Sequence, residues 1–313
     1  MGHKILKGCA FAIISAVIYG SMPLMAKYIY ADGVTPFTLV FLRNMFSLLP
    51  LGILAYREQK TLKIPLSLLP KITLIALLGC CLTPILLFSS YQFIASGPAT
   101  VFHFAYPSFV VIGEILFLRK KARLSSLLSI LFCTVGICMF YSPEETFNLT
   151  GSILSLLSAV TFAAYVVMLP RFDRSRVPGF LFTFYIILMS TVSAFCICVA
   201  TNSLVFPSTA SGWGLCILFS LLVTTCAVVL FQQSAFLIGS EGTSILSTLE
   251  PITSVIIGVV IFHESFGLRL LVGTILVITA SVITVFFSLM KKAKNNDASL
   301  LFGHTIVKSD YHP

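Results

Sequence analysis

The sequence predicts an all-α membrane protein: ten transmembrane helices forming two inverted five-helix repeats, with both termini in the cytoplasm. Three features support this: ten apolar runs of spanning length, a one-sided distribution of basic residues, and an internal repeat. With 58% hydrophobic residues, 10% charged residues and a mean hydropathy of +1.02 over 313 residues, the chain carries more apolar surface than a soluble core can hide.

A hydrocarbon core of ~30 Å needs about 20 helical residues to cross it. The apolar runs fall at 8–29, 36–56, 72–94, 98–118, 124–141, 151–170, 178–200, 213–238, 242–262 and 268–290. Helix is the form expected of them, because backbone polar groups in lipid must be satisfied within their own segment. The first run follows Lys4 and Lys7 as a signal peptide would. It lacks a clear small-residue cleavage site and nine runs follow it, so it is assigned as helix 1. Helix 2 carries Arg43 a third of the way along, and helix 4 carries His103, Tyr106-Pro107 and Glu114. An acidic loop with Glu144, Glu145 and a glycosylation-type triplet at Asn148-Leu-Thr150 separates helices 5 and 6. Helix 9 carries Glu250-Pro251, and His263 and Glu264 lie in the short loop before helix 10. Only short loops remain, which leaves no room for a soluble domain.

The charges set the orientation. Lys4, Lys7, Arg57, Lys60, Lys63, Lys71, Arg119, Lys120, Lys121, Arg123, Arg171, Arg174, Arg176, Lys291, Lys292, Lys294 and Lys308 all fall on the face that holds the N-terminus. These are 17 of the 20 basic residues; the opposite face keeps Arg269, while Lys27 and Arg43 lie within runs. The positive-inside rule places the majority face in the cytoplasm. This distribution also explains the net charge of +9 better than nucleic-acid binding does. The nine cysteines lie in or beside apolar runs without metal-ligand spacing, as small buried residues do.

The two halves resemble each other. LKGCAFAIISAVIYGSMPLM (6–25) overlays LTGSILSLLSAVTFAAYVVM (149–168) at an offset of 143, pairing Gly8 with Gly151 and Ser15-Ala-Val with Ser158-Ala-Val. Residues 88–117 overlay 232–261 at an offset of 144, pairing Pro107 with Pro251. Five helices per copy is an odd number, so the second copy enters from the opposite side. The expected division is 1–145 and 146–290, followed by a tail at 291–313. Inverted repeats characterise secondary transporters, whose substrate sites lie near the midplane where helices are interrupted. Proline breaks a helix by removing a donor and disturbing the preceding turn. Both copies place one at the same depth, beside Tyr106 in the first and Glu250 in the second.

LEPITSVIIGVVIFHE (249–264), FLRNMFS (41–47) and SAVIYGSMPLMAKY (15–28) together resemble the EamA family of the drug/metabolite transporter superfamily. The resemblance covers about residues 8–290. It departs from the family pattern in FLRKKARLS, where Lys120 stands in place of the acid that ends the motif in the second copy. It implies ten helices in two halves and transport of a small metabolite by alternating access, frequently export of an amino acid or related compound. Nucleotide-linked and drug-like solutes are the alternative cargo.

Ionisable groups inside a span usually face the bundle interior and serve function. Glu250 is the foremost candidate: it could bind a substrate amine, exchange a proton, or pair with Arg43. Arg43 could hold a substrate carboxylate in a bidentate fork or lock two helices together. Lys27 could snorkel to the outer interface or serve as a gate. Glu114 could reach Arg119 or Lys120. Gln92, His103, Gln232 and Gln233 supply further polar groups, with Tyr106 near His103, and Tyr19, Tyr165 and Tyr185 could stack on or hydrogen-bond a ligand or simply pack. Pro107 and Pro251 are the expected helix breaks.

The expected partners are a small-molecule substrate and the lipid bilayer, with a proton as candidate coupling ion. No cofactor or metal is expected, nor any nucleic acid. A monomer or homodimer in the cell membrane is the expected state. The competing classes are a channel and a membrane-embedded enzyme. His263-Glu264 continues without the second histidine of a zinc protease, no aspartate lies within a run, and no P-loop is present.

Overall fold

The computed structural model describes residues 2–106, 108–110, 112–113, 124–139, 148–168, 172, 177–247, 249–263, 267–269, 271–280 and 282–283. These residues form helices and connecting turns, with no strand among them. In chain order the helices are α1 (Gly2–Gly20), α2 (Met22–Ala31), α3 (Pro36–Gln59), α4 (Leu69–Ala76), α5 (Thr83–Ser90), α6 (Ser96–His103), α7 (Leu124–Cys138), α8 (Leu149–Met168), α9 (Gly179–Ala200), α10 (Ala210–Phe219), α11 (Val228–Leu246) and α12 (Leu249–Phe262). A last helix, α13, covers Leu271–Ala280.

Among the described residues, six stretches are long and apolar enough to cross a membrane: Ile5–Ala31, Pro36–Gln59, Leu66–Ser90, Leu149–Met168, Gly179–Ala200 and Ala210–Phe231. They coincide with expected helices 1–3 and 6–8, the same three from each half. The remaining four expected spans appear as shorter described helices. Pro107, Glu114 and Glu264 lie outside the described residues, as does the tail at 291–313.

Several spans are interrupted, and the chemistry of each interruption is visible. The first span breaks between α1 and α2, where Pro23 follows Ser21-Met22. Proline supplies no amide and displaces the carbonyl four residues back, here that of Tyr19. The Ser21 hydroxyl turns back to the Ile18 carbonyl at 2.7 Å and secures the break. The third span contains a π-helical segment at Leu77–Leu82, just before Pro84. The eighth contains another at Ser220–Ala227. The two segments begin 143 positions apart, so the widened turn recurs at equivalent places in the two halves.

Packing between the halves is reciprocal. A side chain at Gly8 would strike Ile238 and Leu237, and one at Gly151 would strike Ile94 and Phe93. Each half therefore lays its first helix against the hairpin of the other, through a glycine at the matching position. Ser15 and Ala16 are buried and Val17 is exposed; Ser158, Ala159 and Val160 repeat that pattern. Ser15 donates to the Ala227 carbonyl at 2.9 Å, and Ser155 donates to the Ala99 carbonyl.

The backbone of α11 is helical across the boundary expected at residues 239–241. The Ser234 and Thr243 hydroxyls nevertheless meet at 2.8 Å. In a straight helix, nine positions separate residues by about 13.5 Å along the axis. The segment therefore folds back on itself between these residues, where the sequence places the end of helix 8 and the start of helix 9.

α3 and α9 form the central pair and are tied at both ends. At one end Thr38 donates to the Ser203 carbonyl at 2.8 Å and accepts from the Val205 amide at 3.0 Å. At the other, Glu58 accepts from the Phe180 amide at 2.9 Å and Tyr185 donates to the Leu62 carbonyl at 2.7 Å. Beside the first tie, the Asp32 carboxylate accepts from the Ser208 hydroxyl at 2.7 Å and from the Thr209 amide at 3.2 Å, at the start of α10. The Ser208 hydroxyl, helped by Thr209, holds the Asp32 carboxyl below the usual carboxylate range.

Candidate functional site

The residues singled out in the sequence converge only in part. Tyr19 sits at the end of α1, one residue before Gly20, which packs directly on α12. A Cβ at Gly20 would lie 2.7 Å from the Glu250 carbonyl oxygen and 2.5 Å from Thr253 Cβ. Absence of a side chain there lets the end of α1 touch the turn carrying Glu250. Tyr19 lies within electrostatic reach of Arg43, Glu250, Tyr165 and Cys80, so five spans contribute to one locus.

Arg43 is buried in α3 at 8% exposure. Among the described residues its guanidinium approaches Asn44 Oδ1 at 3.5 Å and lies over the Phe88 ring at 5.6 Å. Among the described residues, a cation–π contact and one long hydrogen bond engage few of its five donors. Glu250 is not in ion-pair contact with it, so the internal Arg43–Glu250 lock raised by the sequence is not formed in this structure. Asn44 donates to the Cys80 carbonyl at 3.3 Å and to Ser190 Oγ at 2.8 Å. Pro84 releases that carbonyl from its helix, and Asn44 satisfies it. Ser47 meets Ser220 Oγ at 2.6 Å, binding α3 to the other π-helical segment as well. Arg43 is thus carried on a helix pinned between both widened turns.

Glu250 is partly exposed while Pro251, beside it, is buried. Pro251 supplies no amide, and the Glu250 amide instead closes a tighter turn onto the Ser247 carbonyl at 3.0 Å. Tyr91 and Tyr106 both lie within the field of Glu250. Tyr91 carries a buried hydroxyl with no hydrogen-bond partner among the described residues, although Thr100 is close to it. Tyr19, Cys80, Tyr165 and Glu250 each keep some accessible surface.

An aromatic cluster adjoins this locus. His103 and Phe162 ring centroids are 5.4 Å apart, Tyr106 and Phe162 meet edge-on at 4.8 Å, and Phe162 stacks on Tyr165 at 5.6 Å. Tyr165 in turn lies on Gly79 of the first π-helical segment, where no side chain could fit. Tyr106 shares a buried cluster with Ala163, as Glu250 packs against Gly20 at the matching place in the other half. The equivalence of Tyr106 and Glu250 in the two copies is therefore spatial as well as sequential.

The other sequence candidates stand apart. Gln92 is exposed in the turn after α5, Gln233 is half-buried in α11, and the Gln232 side chain lies outside the described residues. Lys27 is half-buried in α2 and has interactions of its own. Cys80, Tyr91, Asn44 and Phe162 belong to the locus and were not anticipated. Pro84, four residues beyond Cys80, is the sequence signal that could have exposed the first widened turn. Among the described residues no cluster of His, Cys, Asp and Glu could hold a metal.

Comparison with known proteins places these features in context. A model of the EamA-like transporter family matches residues 6–142 and again 149–286. An uncharacterized transporter of Clostridium kluyveri is 19% identical over 304 residues, spanning 92% of this chain and 96% of that protein. The WAT1-related protein At1g43650 of Arabidopsis thaliana is 28% identical over 165 residues, spanning 52% of this chain and 43% of that protein. An uncharacterized transporter of Haemophilus influenzae is 25% identical over 189 residues, 56% of this chain and 61% of its own length. One solved crystal structure has the same fold, with a TM-score of 0.61 at 15% identity over 90% of this chain and 96% of the other.

Proposed function

The chain belongs to the EamA-like transporter family and is a multi-pass membrane transporter, and from that premise we propose that it carries a small zwitterion, an amino acid or close relative, by alternating access. The observation that supports this reading is the separation of its two central charges. Arg43 and Glu250 border one locus, and among the described residues neither has a protein counter-ion. Arg43 is buried, and a buried charge without a partner is expensive in a low-dielectric interior; Glu250, partly exposed, stands beside the same locus. A ligand bearing both a carboxylate and an ammonium group would relieve both at once, its carboxylate in the fork of Arg43 and its ammonium on Glu250. A purely cationic solute would leave Arg43 uncompensated, and a purely anionic one would leave Glu250 so.

In this reading Glu250 also exchanges a proton when the amine leaves, which makes a proton the coupling ion and export the direction of net flux. The paired widened turns, the Pro23 break and the Pro251 break supply points where half-helices can tilt. The α3–α9 pair, tied at both ends, would be the fixed element against which they move. The protein acts as a secondary carrier rather than an enzyme, as a monomer or homodimer.

The test is counterflow of labelled amino acids into liposomes containing purified protein. Saturable counterflow that Glu250→Gln abolishes, with the variant still folded, supports the proposal. Wild-type rate and pH dependence in Glu250→Gln would remove Glu250 from binding and coupling.

A further inference from the structure

α2 is a short rod between two joints. At its inner end Pro23 interrupts the span, and the Met25 amide reaches the Ser21 carbonyl at 3.4 Å, long for a helical bond. At its other end Gly33 stands at φ +87°, in the left-handed region that a side chain would resist. Between the joints Met22, Ala26 and Ile29 fall on one helical stripe and are buried, while Tyr28 is exposed. That stripe packs in one cluster with Leu39 and Leu42 of α3, Phe88 of α5 and Phe219 of α10. Phe88 is the ring on which the Arg43 guanidinium rests.

The tip of the rod is fastened to the second half. The Asp32 carboxylate accepts from the Ser208 hydroxyl at 2.7 Å and the Thr209 amide at 3.2 Å, and a side chain on Gly212 would strike it. These groups form the start of α10, where free amides and the helix dipole favour a carboxylate. The loop that bears Ser208 has other anchors. Thr35 and Thr38, at the start of α3, both donate to the Ser203 carbonyl, and Thr38 accepts from the Val205 amide. What Asp32 fixes in addition is the end of α2, helped by Tyr30, which donates to the Phe88 carbonyl at 3.3 Å. We infer that α2 is a gate hinged at Ser21–Pro23 and at Gly33, and that Asp32 seated on the start of α10 is the latch that holds it shut. Opening lifts Met22, Ala26 and Ile29 away from Phe88 and uncovers the ring beneath Arg43. A carboxylate that merely caps α10 would keep its contacts throughout the transport cycle, whereas a latch breaks them once in each turnover.

The latch rests on the alternating-access reading, and the test separates it from the choice of substrate. A Cβ on residue 212 would lie 2.8 Å from Asp32 Cγ, one carbon–carbon bond of about 1.5 Å from Asp32 Cβ. The two Cβ atoms would then stand no more than about 4.3 Å apart, within the ~3.5–4.5 Å that a disulfide spans. The double variant Asp32→Cys/Gly212→Cys, in which the carboxylate no longer fills that space, is reconstituted in liposomes and oxidised by air with copper phenanthroline. Bridging should reduce counterflow of labelled leucine to the level of protein-free liposomes, and dithiothreitol should restore it. Asp32→Cys alone should respond to neither treatment. A second measurement needs neither bridge nor substrate: hydrogen exchange of wild type and Asp32→Ala in nanodiscs. Loss of the latch should speed exchange of the amides at 24–33 several-fold and leave the middle of α3 unchanged. Asp32→Asn, which keeps an acceptor for Ser208, should fall between the two. Failure of the folded double variant to bridge, bridging that leaves counterflow intact, or unchanged exchange at 24–33 in Asp32→Ala would overturn the latch. If wild type carries no leucine while bridging and the exchange difference are both seen, the zwitterion reading fails and the latch stands. Thermal midpoints confirm that each variant is folded before it is compared.

Discussion

Gly20 lies against the backbone carbonyl of Glu250, at a separation that excludes even a methyl group: a Cβ would stand 2.7 Å from that oxygen. This contact brings the end of α1, with Tyr19, onto the turn that carries the central acid. Gly20→Ala should therefore shift α1 away from α12, with a loss of about 1–3 kcal/mol typical of overpacking. A thermal melt in detergent, together with counterflow, checks this: both stability and transport should fall. A variant that melts and transports like wild type would place the two helices farther apart than described.

Asn44 satisfies the carbonyl that Pro84 releases and also reaches Ser190. Asn44→Leu leaves the Cys80 carbonyl and the Ser190 hydroxyl without their partner, so it should lower stability by about 1–3 kcal/mol. Pro84→Ala restores an amide and should shorten the widened turn. In the double variant the cost of losing Asn44 should shrink, which a double-mutant cycle measures.

The Asp32 clasp gives a sign to the pH dependence of the soluble face. Its carboxyl is depressed chiefly by the Ser208 hydroxyl, so the folded form binds its proton later than the unfolded form as pH falls. The stability it contributes is present above about pH 4, the ordinary carboxylate value, and disappears as pH falls through the lower folded value. Asp32→Asn should remove that component. The difference in thermal midpoint between wild type and variant should be greatest near neutrality and vanish at strongly acid pH.

Gly8 and Gly151 perform the same task in opposite halves. Gly8→Leu and Gly151→Leu should each press a side chain into the facing hairpin and destabilise by comparable amounts, on the order of 1–3 kcal/mol. Melts of the two single variants compare the seams directly. A large asymmetry would mean that one half carries the fold and the other merely follows it.

Much of the architecture was legible because membrane spans announce themselves by length and charge. The Ser-Ala-Val motif was legible as a repeat, and its role as a packing seam emerged only from the structure. A small hydroxyl residue and an alanine side by side permit close approach, and in both copies those two positions are buried while the valine faces outward. The widened turns were not legible in the same way. An unbroken apolar run such as Leu77–Leu82 has the same composition whether its amides bond four or five residues back. Pro84 hints at the first, but the second, at Ser220–Ala227, has no proline following it. The surroundings of Arg43 were equally hidden. Sequence offered Glu250 as its partner because both were charges in oil, whereas three-dimensional packing gives it the face of Phe88 and the amide of Asn44. Which ring lies over a guanidinium is decided by how α3 and α5 cross, and no local pattern encodes that.

The zwitterion claim has one direct measurement. Wild type, Arg43→Gln and Glu250→Gln are assayed for binding of leucine, of its decarboxylated amine and of its deaminated acid, all in the same membrane preparation. The account predicts that wild type binds leucine far better than either analogue. It further predicts that Arg43→Gln loses its preference for leucine over the amine, and Glu250→Gln its preference for leucine over the acid. If both variants keep the wild-type order of the three ligands, Arg43 and Glu250 do not read the two ends of the substrate, and the central claim is wrong.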